Sequence, residues 1–215
     1  MESFPDQPTS FYLPGPAGKL EVLTTSQKNE NAKGVAIVCH PHPLYQGTMH
    51  NKVVTTLART FQELKLNTIR FNFRGVGQSE GSYGEGKGEL EDLLTIAAWI
   101  KTVYPHLPVW LSGFSFGAFI ATCAAAKIMP VQLVTVGLPV SYLKEWPAIP
   151  SIPCPWLVVH GEQDELTPIA EVSHWIENIK PHPQLIIIQD ASHFFHRKLI
   201  ELRQQIRAVL SNKAE

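Results

Sequence analysis

Ser115 stands at the centre of Gly113-Phe114-Ser115-Phe116-Gly117, with one glycine two residues before it and another two residues after. A serine hydroxyl is a weak nucleophile unless a base removes its proton and the backbone presents it to a substrate. The flanking sequence meets the second need. Val109 to Leu111 is a short apolar strand, and from Phe116 an Ala-rich stretch runs without a helix breaker as far as Met129 and Pro130. Strand, tight turn and helix therefore follow one another with the serine at the apex, the context in which a G-x-S-x-G pattern acts as a nucleophile elbow. Small residues on either side allow a strained turn and close packing of helix on strand. The helix also aims its first amides and the positive end of its dipole at the place where an oxyanion would develop. A five-residue glycine pattern also arises by chance, so the reading requires a base and an acid elsewhere in the chain.

The search for them is small. There are four aspartates, Asp6, Asp92, Asp164 and Asp190. Asp6 lies in the N-terminal tail and Asp92 in a predicted helix before the elbow strand. Asp164 lies in HGEQDELTP, just after the apolar run Trp156 to His160, whereas Asp190 begins the turn DASHFF that also contains His193. Ser115 as nucleophile, Asp164 as orienting acid and His193 as base each fall just after a predicted strand, in the chain order Ser, Asp, His. Glu162 and Asp190 are the alternative acids and read better as turn or surface groups. Among the other histidines, His160 reads as packed or turn-bonded, His174, His182 and His196 as solvated, and His106 lies at the wrong end of the elbow strand. His40 and His42 could begin a metal site but have no third ligand at useful spacing. Two N–H donors must hold the oxyanion. Phe116 supplies one, and the loop after the first central strand supplies the other from His42 or Leu44, because Pro41 and Pro43 have no N–H; His42 is favoured.

These residues need a frame to hold them. Residues 10 to 24 read as a hairpin turning over Pro14-Gly15-Pro16 and Gly18, giving two antiparallel edge strands. Gly34 to Cys39 is a continuous apolar run, as in a strand buried on both faces, and Asn67 to Phe73 forms the next strand. Between them Val53, Leu57, Phe61 and Leu64 share one helical face. A glycine-rich loop leads into a helix marked by Leu90, Leu93, Leu94, Ala97 and Ile100, followed by the elbow strand. Val131 to Val136, Trp156 to His160 and Leu185 to Ile188 are further strands. Thr167 as N-cap and Pro168 at the first helical position open a helix with Ile169, Val172, Ile176 and Ile179 on one stripe. Leu199, Leu202, Ile206 and Val209 mark a C-terminal helix. This alternation predicts an α/β fold, a mostly parallel sheet covered on both faces with catalytic loops at the carboxyl ends of its strands. Gly81 to Gly88, GSYGEGKG, nearly matches a phosphate loop but has Gly88 where the magnesium-binding hydroxyl would stand, and reads as a plain loop.

Composition narrows the possibilities further. The chain has 215 residues, 44% of them hydrophobic, and a net charge of -1. Its mean hydropathy is -0.03 and its pI near 6.8. One domain spanning 1-215 is expected, with no basic field to gather nucleic acid or a membrane surface. MESFPDQPTS lacks the pattern of a secretory leader and no window is long enough to span a bilayer, so a cytoplasmic location is expected. Cys39, Cys123 and Cys154 each lie in an apolar segment and read as reduced core residues.

HPHPLYQGTMHNKVV, FNFRGVGQSEG, GFSFGA, HGEQDELTP and DASHFF together resemble the α/β-hydrolase superfamily, in particular its small capless esterase-like members with HPHP in place of the usual His-Gly. The resemblance covers nearly the whole chain. It implies that Arg74 to Gly77 forms a structural loop beside the elbow, with Arg74 as an ion-pair anchor, and the segment between Val136 and Trp156 is too short for a cap domain. The expected activity is a serine hydrolase cleaving carboxylic esters or thioesters of small substrates through an acyl-enzyme, with no cofactor. Amide or peptide hydrolysis and a catalytically silent interaction protein on the same scaffold are the alternatives. The proline-rich segment Gly137 to Pro155 cannot sustain a long helix, which predicts an open cleft walled by Leu44, Tyr45, Tyr142, Trp146 and Phe194.

Overall fold

A computed structural model of the chain describes residues 8–27, 32–145 and 152–211. Eight strands form one sheet: β1 (Thr9–Gly15), β2 (Gly18–Thr25), β3 (Val35–Cys39), β4 (Asn67–Phe71), β5 (Val109–Phe114), β6 (Gln132–Val136), β7 (Trp156–Gly161) and β8 (Gln184–Ile188), in the order β1-β2-β4-β3-β5-β6-β7-β8. From β4 to β8 every pairing is parallel, and the β1–β2 hairpin joins β4 in antiparallel fashion. The hairpin contributes only one edge, because β2 lies between β1 and β4. Every residue of β3, β5, β6 and β7 is buried, as continuous apolar runs covered on both faces must be.

Helices α1 (Lys52–Glu63), α2 (Lys87–Val103), α3 (Phe116–Ile128), α4 (Val140–Glu145), α5 (Ile169–Glu177) and α6 (Leu199–Leu210) follow strands in alternation. Two clusters of buried side chains separate along the sheet's two faces. One joins Val35, Ile37, Leu111 and Leu133 to α2, α3, α4 and α5, and the other joins Ala36, Val38, Trp110 and Val134 to α1 and α6. The alternation of Val35 with Ala36 and of Trp110 with Leu111 between the clusters is the period-two signature of strands. Cys39, Cys123 and Cys154 are buried and free. Burial pushes the thiols of Cys123 and Cys154 up to about 12 and about 11, so they pack as hydrophobes.

Local chemistry sets the helix ends. Asn51 Oδ1 accepts from the amides of Val53 (2.8 Å) and Val54 (3.4 Å) and starts α1. α5 begins one residue later than the sequence suggests: Pro168 is its N-cap and Ile169 its first helical residue. The reason is that the Thr167 backbone is committed elsewhere, its amide to Asp164 Oδ1 at 2.8 Å and its carbonyl to His160 Nε2 at 2.8 Å. Gly84 and Gly86 each donate a backbone N–H to the buried Glu89 carboxylate at 2.8 Å. The near-match to a phosphate loop is thus filled by an internal anion. Between β6 and β7, α4 is the only helix among the described residues, six residues long. No helix among them is long and apolar enough to cross a membrane.

Candidate active site

β5 extends through Gly113 and Phe114, whose partners on β6 are Thr135 and Val136. The chain then turns at Ser115, which adopts φ 54 and ψ -121 as the N-cap of α3. Positive φ at a residue with a side chain is strained, and neighbouring contacts hold it in place. The Ser115 amide donates to Val136 O (2.9 Å), while Ser115 O accepts from Ala118 (2.8 Å) and Phe119 (3.1 Å). The two glycines are required by contact distance. A Cβ on Gly113 would lie 2.1 Å from Gly117 O, and one on Gly117 would lie 2.4 Å from Cys39 O and 2.5 Å from His40 O. The elbow is therefore pressed against the end of β3.

The loops after β7 and β8 bring the other two residues to this point. His193 Nε2 is 3.0 Å from Ser115 Oγ, and His193 Nδ1 is 2.7 Å from Asp164 Oδ2. The remaining carboxylate oxygen of Asp164 accepts the amides of Leu166 (3.0 Å) and Thr167 (2.8 Å). Burial pushes the Asp164 carboxyl up, but the hydrogen bond and charge of His193, the Thr167 amide and His160 outweigh it and hold the group below its ordinary range. It is a carboxylate. Asp164 and His193 are both buried, and His193 is gripped between Phe114 (ring centroids 5.1 Å apart) and the edge-on ring of Phe194 (5.2 Å). Its backbone N–H donates to Glu165 Oε2 at 3.1 Å, so adjacent acidic residues fix both the ring and the main chain.

The alternative acids have other partners. Glu162 Oε2 accepts the Asp190 amide (3.0 Å), and Asp190 Oδ1 accepts from Gln163 Nε2 (3.2 Å). Both tie the β7 loop to the β8 loop at the surface. His40 is fully buried, with Nδ1 2.6 Å from Pro41 O and Nε2 accepting the Phe73 amide at 3.0 Å, so neither ring nitrogen is available to a metal. Burial drives its pKa down to about 4, and the ring is neutral. Among the described residues no group of three or more His, Cys, Asp or Glu side chains could hold a metal ion. Arg74 forms a two-pronged ion pair with fully buried Asp92, at 3.0 Å from Nε and 2.8 Å from Nη2, as an anchor rather than a site residue.

The loop after β3 runs past the elbow. The ring of His42 packs on Phe116 (4.8 Å), Tyr45 (4.8 Å) and Tyr83 (5.0 Å), and its Nδ1 accepts the Leu44 amide at 3.2 Å. Leu44 N–H is consequently occupied. A cleft of about 390 Å³ opens over Ser115 and His193. Tyr45 and Tyr142 line it as the sequence suggests, but Leu44 and Phe194 do not. The 3-10 turn Pro43–Tyr45 leaves Leu44 65% exposed, and Phe194 covers the far side of the His193 ring. Trp146 lies outside the described residues. Four lining residues were not anticipated: Pro139 and Ser141 at the start of α4, and Leu166 and Thr167 on the Asp164 loop. Leu166 and Thr167 lie within HGEQDELTP, which was the available signal for them, and Pro139 and Ser141 fall at the carboxyl end of a central strand, but which side of a loop faces the cleft depends on packing.

Known proteins are similar to this architecture along nearly its full length. A family model described as an alpha/beta hydrolase domain matches residues 46–213. The Rickettsia prowazekii protein RP471 is 31% identical over 209 residues, covering 93% of this chain and 87% of its own. Among solved structures, an alpha-beta serine hydrolase homologue from Coxiella burnetii superposes with a TM-score of 0.92 at 43% identity, covering 97% of this chain and 100% of that one. The serine hydrolase without lid from Xanthomonas campestris gives a TM-score of 0.88 at 38% identity, covering 98% and 96%. The mostly parallel sheet, the strained turn after its central strand and these matches lead to one assignment: the chain belongs to the alpha/beta hydrolase family.

Proposed function

We propose that the protein is a serine hydrolase that cleaves carboxylic esters or thioesters of small substrates. The observation that carries this reading is the unbroken line from Ser115 Oγ to His193 Nε2 at 3.0 Å and from His193 Nδ1 to Asp164 Oδ2 at 2.7 Å, at the floor of an open cleft. Neutral His193 takes the Ser115 proton as Oγ attacks the carbonyl, and the charge that His193 gains is balanced by Asp164. The leaving alkoxide or thiolate then takes the proton from His193, giving an acyl-enzyme that water hydrolyses by the same steps in reverse roles. The oxyanion is held by two backbone amides. Phe116, the first residue of α3, has an N–H with no intrahelical acceptor. From the β3 loop the His42 amide is the other donor, since Pro41 and Pro43 carry none and the Leu44 amide is spent on the His42 ring.

The cleft favours short acyl chains. Tyr45 and Tyr142 wall it, and the six-residue α4 with the 3-10 turn beside it forms no roof over a long chain. Distal methylenes would remain in water and forgo the ~0.8 kcal/mol that each buried CH₂ contributes. Fluorophosphonate labelling of the wild type but not of Ser115→Ala tests the mechanism. Measuring kcat/KM for p-nitrophenyl esters from acetate to palmitate tests the cleft: the maximum is expected at short chains, and a steady rise to the longest soluble ester or a jump at micelle formation would contradict it.

A further inference from the structure

His160, the penultimate residue of β7, is fully buried and faces the same side of the sheet as the core residue Val158. An aliphatic side chain would fill that position without burying polar atoms. Instead the imidazole has an Nδ1 with no hydrogen-bond partner, a cost that calls for a compensating interaction. That interaction is at the other nitrogen. Nε2 is 2.8 Å from Thr167 O and 3.3 Å from Asp164 Oδ2. Both neighbours are acceptors, so Nε2 carries the hydrogen, and the bare Nδ1 identifies the ring as neutral. Asp164 Oδ2 thus accepts one imidazole hydrogen bond, from His193 at 2.7 Å, and has His160 Nε2 beside it at 3.3 Å with its hydrogen directed to Thr167 O, while Oδ1 takes two backbone amides.

We propose that His160 is a positioning residue for Asp164: its Nε2–H, bonded to Thr167 O with Asp164 Oδ2 3.3 Å from the same nitrogen, closes the Gly161–Thr167 loop and partly offsets the carboxylate's charge that acts on His193. This rests on the hydrolase reading above. The loop closure follows from the geometry, because Thr167 is bonded to His160 through its carbonyl and to Asp164 through its amide, so the carboxylate is fixed from both ends of its own loop. The charge effect follows from the positive end of the His160 N–H dipole lying near the oxygen that His193 uses. With that dipole removed, Oδ2 offers more charge to His193 and favours its protonated form. The charged and titratable groups facing these two rings are Asp164, each other, and Glu165 at the His193 backbone; on its remaining sides His193 meets Phe114, Phe194 and Ser115.

The test compares the wild type with His160→Leu, which removes the donor, and His160→Gln, whose amide N–H reaches the same place. Turnover of a short p-nitrophenyl ester is measured from pH 5 to 9, with 15N histidine NMR on the wild type. His160→Leu is expected to lower kcat about tenfold with little change in KM, and to move the acidic limb of the pH profile upward by about half a unit. His160→Gln should recover most of both. A purely structural role would lower stability without moving the limb, and an unchanged limb in folded His160→Leu overturns the proposal. Should that variant not fold, NMR decides: a neutral Nε2–H tautomer at pH 7 supports the assignment, and an imidazolium or an Nδ1–H tautomer refutes it. Failure of the hydrolase reading would look different, as absence of turnover and fluorophosphonate labelling in the wild type itself.

Discussion

At the scale of single residues, the site distinguishes two aspartates that the sequence places after successive strands, β7 and β8. Asp164 directs Oδ2 at His193 and is saturated by amides on Oδ1, whereas Asp190 directs its side chain to Gln163. Under the proposed mechanism the three act as a unit, so alanine at Ser115, His193 or Asp164 is expected to reduce kcat by about 10⁴-fold or more, with double variants losing little beyond the single ones. Asp164→Asn should fall in the same range and Asp190→Asn within severalfold of wild type. Steady-state kinetics on the wild type, the five single variants and the double variants, with circular dichroism to confirm folding, checks both statements, and equal damage from the two asparagine variants would show that the acid is misassigned.

At the scale of elements, the segment from β4 to α2 shows how a surface loop is made rigid. Arg74 is anchored by Asp92, whose side chain is fully buried, and also reaches Glu91, whose side chain is 60% exposed. Removing one member of a buried, hydrogen-bonded pair leaves the other uncompensated, so Asp92→Ala should destabilise the protein by about 3 kcal/mol or more. Glu91→Ala should cost less than about 1 kcal/mol, since its pair is screened by water. Urea unfolding of the two variants side by side distinguishes the cases. Elements of this kind explain what could be read in advance. The strands, the helices other than α4 and the position of Ser115, Asp164 and His193 at strand ends were legible, since hydrophobic period and loop position are local properties; α4 lies in a segment read only as too proline-rich for a long helix. The start of α5 was not, because Thr167 is recruited by His160 and Asp164, two side chains outside the helix. Nor was the orientation of Leu44, which depends on the His42 ring capturing its amide. His160 itself read as packed or turn-bonded, and it is both, buried and bonded to Thr167 O, but its approach to Asp164 emerges only when the loop closes in three dimensions.

At the scale of the whole molecule, stability is tied to pH through neutral buried histidines. His40 has its pKa lowered from 6.5 to about 4 by burial, and His160 is lowered as well. The unfolded chain takes up these protons near pH 6.5 whereas the folded chain does not, so stability is full above that pH and declines as the pH falls toward 4. His40 alone accounts for about 3 kcal/mol over this window. Asp164, depressed in the fold, extends the loss below its ordinary value of 3.8. Urea midpoints measured between pH 8 and 4 should drop most steeply below 6.5, and His40→Gln should flatten that slope. The placement of the site across the sheet has a further result. Ser115 is bonded into the ladder between the central strands β5 and β6, but His193 follows β8, an edge strand in which only Ile188 is buried. Local opening at that edge, the low-energy kind of fluctuation sampled by native-state hydrogen exchange, carries off His193 while leaving Ser115 in place. The Ser115 amide should then exchange with the slowest class and the His193 amide well before it. In a urea titration, fluorophosphonate reactivity should fade at lower concentration than far-UV ellipticity, and coincident curves would mean that the edge and the centre open together.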